Sequence, residues 1–119
     1  MKNLIACPAE RAVYFLGGKW KIRILFSLLQ SKKIRFGELK KGLKTITQQM
    51  LSKQLKELEI DGIVNRKVYQ VVPPKVEYSL TEFGLSVMPI LRSFSEWSTK
   101  NTRTIAVKLN KNFEENRIT

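Results

Sequence analysis

Gln48, Gln49, Ser52 and Lys53 fall within six consecutive positions and carry amide, hydroxyl and ammonium groups suited to reading base edges. Glutamine matches N6 and N7 of adenine, and lysine matches O6 and N7 of guanine or a phosphate oxygen. Around them stand Lys40, Lys41, Lys44, Lys56, Arg66, Lys67 and Lys75, cations suited to phosphate contacts that fix register rather than sequence. The plainer reading of the same residues is the wet face of an amphipathic helix with ordinary surface lysines. Cys7, the single cysteine, precedes Pro8 where a helix would begin. Partial positive charge at a helix start, with Arg11 nearby, favours a reactive thiolate and makes Cys7 a redox-sensing candidate. With no second cysteine, a disulfide would join two subunits or a small thiol. The alternative for Cys7 is an inert small hydrophobe.

Other chemistry is scarce. The chain has no histidine, which removes His-based general acid–base work and most transition-metal sites. It has no Walker or dinucleotide phosphate loop and no G-x-S-x-G elbow. Neither catalytic residues, a metal, a cofactor nor an enzymatic function is therefore expected.

Charge points to a polyanion. There are 22 Lys and Arg against 10 Asp and Glu, a net +12 over 119 residues. From Lys19 to Lys67 the count is 13 against 4, so +9 of the excess lies mid-chain. Hydrophobic residues at 43% and charged ones at 27% describe a globular chain. No apolar run reaches the roughly 18 residues needed to span a bilayer. The opening residues, with one lysine and three apolar side chains between Met1 and Cys7, do not read as a signal peptide. A cytoplasmic location without membrane partners is the expectation.

The elements that must position these groups follow from periodicity. Pro8 suits the first position of a short helix to Leu16, which Gly17-Gly18 ends. A helix from Lys19 to Gln30 is apolar around most of its circumference and should be central, while Lys19, Lys21 and Arg23 crowd its first turns. Because part of those turns must face the core, these three are weaker phosphate candidates. Ile34-Arg35 suits a very short strand, Phe36–Leu43 a third helix and Lys44-Thr45-Ile46 a turn. Thr47 is a favourable N-cap for a helix whose Leu51, Leu55 and Leu58 recur at i, i+4 and i+7, with Asp61-Gly62 ending it. Val64–Val72 and Val76–Leu80 make a hairpin around Pro73-Pro74. Thr81 then caps a long helix to about Ser98 that Pro89 should kink. Residues 99–119 are a polar tail, a further helix or partly disordered.

Two helices joined by a three-to-four-residue turn, followed by a hairpin, define a winged helix-turn-helix whose second helix enters the major groove. The fold class is mainly α with a small β-hairpin. The domain is expected at 1–98, with dimerisation helices at 8–16 and 82–98. The apolar stripe of the last helix exceeds what one small domain covers, which points to a homodimer. Val13, Leu16, Val87, Leu91, Phe94 and Trp97 are the interface candidates. Two reading helices about 34 Å apart would favour an inverted-repeat operator.

Cys7-Pro8, Gly17-Gly18-Lys19-Trp20, Arg35-Phe36-Gly37-Glu38-Leu39, Met50-Leu51, Gln54-Leu55, Glu57-Leu58 and Asp61-Gly62-Ile63-Val64 follow in order. Arg66, Tyr69, Val72-Pro73-Pro74-Lys75-Val76-Glu77-Tyr78, Leu80-Thr81-Glu82-Phe83-Gly84 and Trp97 continue the series. Together they resemble the HxlR family of bacterial transcriptional regulators, relatives of the MarR group, from about Cys7 to Ser98. The resemblance implies a homodimer packed through its first and long C-terminal helices, with repression the commoner outcome. It also implies sensing of oxidants or electrophiles at the cysteine of the C-P pair, where several members carry one. A small molecule or oxidant is the effector such a protein would take. Two alternatives stay open: a basic RNA-binding module on the same fold, and a ligand-sensing or protein-interaction domain without a nucleic-acid role.

Overall fold

The computed structural model describes residues 7–118, with side-chain surroundings through Lys111. The six leading residues, on which the signal-peptide reading rests, and the Phe113 side chain lie outside the described residues. Contacts divide the chain after Ser86, inside the stretch read from sequence as one domain ending at Ser98.

The first unit holds the helix-turn-helix and a sheet. Its α1 spans Pro8–Leu16 with Pro8 in the first turn, and α2 spans Lys19–Ser31. β1 (Lys33–Arg35), α3 (Phe36–Leu43), α4 (Gln48–Ile60), β2 (Val64–Tyr69), β3 (Lys75–Leu80) and α5 (Glu82–Leu85) follow. Ile24, Leu25 and Leu28 of α2, Leu39 and Leu43 of α3, and Leu51, Leu55 and Leu58 of α4 are buried together with Ile46 and Ile63. That is the three-helix core which apolar periodicity demands. Thr47 caps α4 by accepting the Met50 N–H on its hydroxyl at 3.1 Å.

The hairpin is one part of a three-stranded antiparallel sheet in the order β1-β3-β2. Lys67 pairs with Glu77 and Tyr69 with Lys75 across the wing, while Ile34 of β1 pairs with Tyr78. Ile34 thus belongs to a strand only because β3, more than forty residues later, supplies its partner. First-strand pairing ends at Tyr69, short of the expected Val72.

Two helix ends use lysine where glycine would be easier. Lys44, after α3, has φ +64 and ψ −78, and the Thr45 N–H donates to the Leu43 carbonyl at 2.8 Å. This is a three-residue turn of the strained kind. The Arg23 guanidinium donates to the same Leu43 carbonyl at 3.2 Å, bracing the turn from α2.

Thr81 closes the first unit. Its hydroxyl donates to the Gly62 carbonyl at 2.5 Å and accepts the Gly84 N–H at 3.0 Å, while its own N–H donates to the Ile63 carbonyl. The seam is so close that a methyl at Gly84 would collide with the Ile63 carbonyl oxygen.

The second unit consists of α6 (Met88–Lys100) and α7 (Thr102–Ile118). The single long helix expected from Glu82 to Ser98 is instead two, with α5 ending at Leu85 and Pro89 in the first turn of α6. Proline lacks a donor and its ring clashes with the carbonyl four residues earlier, which here is Leu85, so the interruption is a break rather than a kink. The tail resolves to helix. Asn101 marks the junction, its side-chain amide donating to the Trp97 carbonyl at 2.8 Å.

One ion pair joins α2 to α4: Lys21 Nζ lies 2.8 Å from Glu57 Oε1. Its hydrogen bond and charge, with Lys53 adding to the field, hold the Glu57 carboxyl below its ordinary value of 4.5 against an opposing effect of burial. A lowered carboxylate stabilises the fold above its unfolded value and loses that contribution as pH falls through the folded one. Thermal melts from about pH 6 to about pH 3 should therefore show a loss below pH 4.5 that is shallower in Glu57→Gln. Gly84→Ala should cost about 2–3 kcal/mol in chemical denaturation. Gly37→Ala, whose added methyl meets open space within α3, should instead gain about 0.5–1 kcal/mol.

Candidate nucleic-acid interface

α4 has one face committed to the core, so its remaining arc is available to solvent. Gln48, Gln49, Ser52, Lys53 and Lys56 are all exposed on it. Gln48, Ser52 and Lys56 recur at i, i+4 and i+8 along the side that faces the sheet. With Arg66 of β2 they line an open groove of about 490 Å³, floored by Phe36, Val76 and Tyr78 and edged by Glu59. The groove thus gathers two cations, one amide, two hydroxyls (Ser52 and Tyr78) and the Glu59 carboxylate. Gln49 and Lys53 lie outside it, on the arc turned away from the sheet.

The remaining cations divide by environment. Lys41 and Lys44 are exposed and Lys40 is half-buried, all at the C-terminal end of α3 and the turn. In the wing, Lys67 and Lys75 each place Nζ 4.9 Å from the centre of the Tyr69 ring. Cations over an aromatic face are held there by the ring's quadrupole. Lys75 also reaches Glu77 at 3.4 Å. The Tyr69 hydroxyl and the Glu77 carboxylate act on each other, so that Tyr69 is pushed up while Glu77 is held down, with Lys75 and Lys33 also favouring the carboxylate. The wing lysines therefore sit in a fixed cluster, and Arg66 alone of the three wing cations lines the groove.

The basic first turns of α2 behave differently from the surface lysines. Lys19 and Arg23 stack on Trp20 at 4.8 and 4.9 Å, and Lys21 is inside with Glu57. Sequence reasoning left Lys21 among the weaker phosphate candidates and did not foresee its ion pair. Its place among the core positions of α2, with Ile24, Leu25 and Leu28, was the available signal.

Cys7 is exposed at the N-cap position of α1. Of the interface candidates, Leu16, Val87 and Leu91 are buried by the chain itself. Val13, Phe94 and Trp97 are 61%, 51% and 65% exposed. Val13 and Tyr14 border a shallow apolar groove on α1 with Ala9 and Glu10. On α6, Ile90, Phe94 and Trp97 recur at i, i+4 and i+7, all exposed. No group of three or more potential ligands for a metal ion occurs among the described residues, and none of their helices is long and apolar enough to cross a membrane.

Comparison with known proteins places this arrangement. The model of the HxlR-like helix-turn-helix family matches residues 15–106. An uncharacterised HTH-type transcriptional regulator of Halalkalibacterium halodurans is 50% identical over 101 residues, 85% of this chain and 89% of that protein. Two solved structures of the redox regulator HypR are similar in fold. The oxidised form is 49% identical with a TM-score of 0.74, covering 80% of this chain and 97% of that one. The reduced form is 46% identical with a TM-score of 0.80, covering 85% and 99%. Proteins of this kind are transcriptional regulators and not enzymes. Its winged helix-turn-helix and a family match across most of its length show that the chain belongs to the HxlR-like helix-turn-helix family of transcriptional regulators.

Proposed function

We propose that the protein regulates transcription by binding duplex DNA as a homodimer, with α4 in the major groove and the wing beside it. The observation that carries this reading is the groove where Gln48, Ser52 and Lys56 of α4 meet Arg66 of the wing. Gln48, Gln49, Ser52 and Lys53 serve as base readers, and Lys40, Lys41, Lys44, Lys56, Arg66, Lys67 and Lys75 as phosphate contacts. Glu59 at the groove's edge repels a phosphate and keeps the DNA strand toward the cationic side. Such a protein works in the cytoplasm, and as a repressor by occupying its operator.

Exposed Val13 on α1, and Phe94 and Trp97 on α6, support a second copy as the partner that removes them from water. Two copies present two α4 helices to successive turns of one face of the duplex. Similarity to a redox regulator supports Cys7 as the responding group. Two thiols, from two subunits or from Cys7 and a small thiol, would yield two electrons and two protons to an oxidant as their disulfide forms.

Selection from random duplex DNA should recover an inverted repeat with half-sites about 10 base pairs apart, bound with an affinity that falls steeply as salt rises. Preference for structured RNA in competition, or salt-insensitive binding, would remove the reading. Gln49→Ala or Ser52→Ala should cost about 1–3 kcal/mol on the selected site and relax preference there, whereas Lys67→Ala should weaken all duplexes alike. Trp97→Glu should shift the protein to monomer in sedimentation. Oxidant should alter DNA affinity in the native protein and leave Cys7→Ser unaffected.

A further inference from the structure

The contacts just assigned to DNA make no use of the ion pair between Lys21 and Glu57. Lys21 is 7% exposed, the only charged side chain buried among the described residues. Its ammonium holds Glu57 Oε1 at 2.8 Å, while the carboxylate side is still about 40% exposed. An apolar side chain of the same volume usually serves stability at least as well as a buried ion pair, so stability alone does not account for this one.

Its position on α4 suggests what it does. At about 100° per residue, Glu57 lies about 140° round the helix from Ser52. The groove residues occupy one flank of α4 and the Lys21 contact the other, with Leu51, Leu55 and Leu58 seating the helix between them. Leucine packing is adaptable and non-directional, so it sets how deep a helix lies better than it sets its roll. An ion pair with one short hydrogen bond is directional.

We propose that the Lys21–Glu57 pair is a positioning device that fixes the roll of α4, so that Gln48, Ser52 and Lys53 meet bases in a single setting. It acts on specificity through α4 and touches no DNA itself. Lys53 stands one turn before Glu57, so the same carboxylate attracts this base-reading lysine, and Lys21 takes up most of that pull. The proposal rests on α4 being the base-reading helix.

The test uses the full chain, a duplex selected from random sequence and a scrambled duplex of the same length, at one salt concentration. The readout is the ratio of the two dissociation constants. Lys21→Met keeps the buried volume and Glu57→Gln keeps the shape. Each should lower the ratio about tenfold while scrambled-duplex affinity stays within about twofold, and the double variant should lose no more than either single one. A ratio unchanged in both single variants, with only the melting temperature moved, would show the pair to be structural and overturn the proposal. Additive losses would overturn it too, since the residues would then act separately. If the native protein selects no duplex, the reading of α4 itself fails, a result distinguishable from either of these.

Discussion

Leu51, Leu55 and Leu58 are fully buried along one stripe of α4, and the rest of the molecule is arranged around that commitment. A helix seated by three leucines at i, i+4 and i+7 has one dry face and one wet face, and everything the wet face does depends on the dry face staying put. α2 supplies the opposing surface with Ile24, Leu25 and Leu28, and α3 closes it with Leu39 and Leu43. The turn between α3 and α4 is held by Arg23 on the Leu43 carbonyl, and the start of α4 by the Thr47 cap. From the far end, Thr81 ties Gly62 and Ile63 to the start of α5, so α4 is fixed at both termini. Only then can the exposed arc carry polar side chains without shifting register.

Charge is layered over this frame in two ways. Surface cations on α3, α4 and the wing stay in water, where they are available to a polyanion and sensitive to salt. Some cations are also held by rings or carboxylates: Lys19 and Arg23 by Trp20, Lys21 by Glu57, and Lys67 and Lys75 by Tyr69, which aims the two wing lysines without removing them from solvent. The net charge of +12 therefore overstates the number of free phosphate ligands and understates how firmly some of them are aimed. Arg66, across from Lys56 and Ser52, stays outside these clusters and faces the groove.

Much of this was legible in the sequence because it is local. The Thr47 cap, the leucine stripe and the limits of α3 follow from spacing within a dozen residues, and they stand where the pattern put them. What was missed depends on partners far along the chain. The short strand expected at Ile34-Arg35 stands as β1, but its partner β3 lies more than forty residues on and could not be read from those residues. Lys21 stands apart as a weaker phosphate candidate because part of its turn must face the core, but its partner Glu57 reaches it only through α4. Pro89 was correctly seen as an interruption, yet its strength depended on the carbonyl of Leu85, and the helix broke. The side-chain positions on α4 proposed to touch bases follow from exposure and periodicity. Their partners on DNA lie beyond what either can specify.

The central claim is that two α4 helices read the major groove one turn apart. Guanine N7 faces that groove, so methylation interference on a selected duplex reports it directly. The account predicts interference at N7 positions in two half-sites centred about 10 base pairs apart, with little effect from adenine N3 methylation between them. Interference confined to adenine N3 in the minor groove, or binding indifferent to N7 methylation throughout, would contradict it.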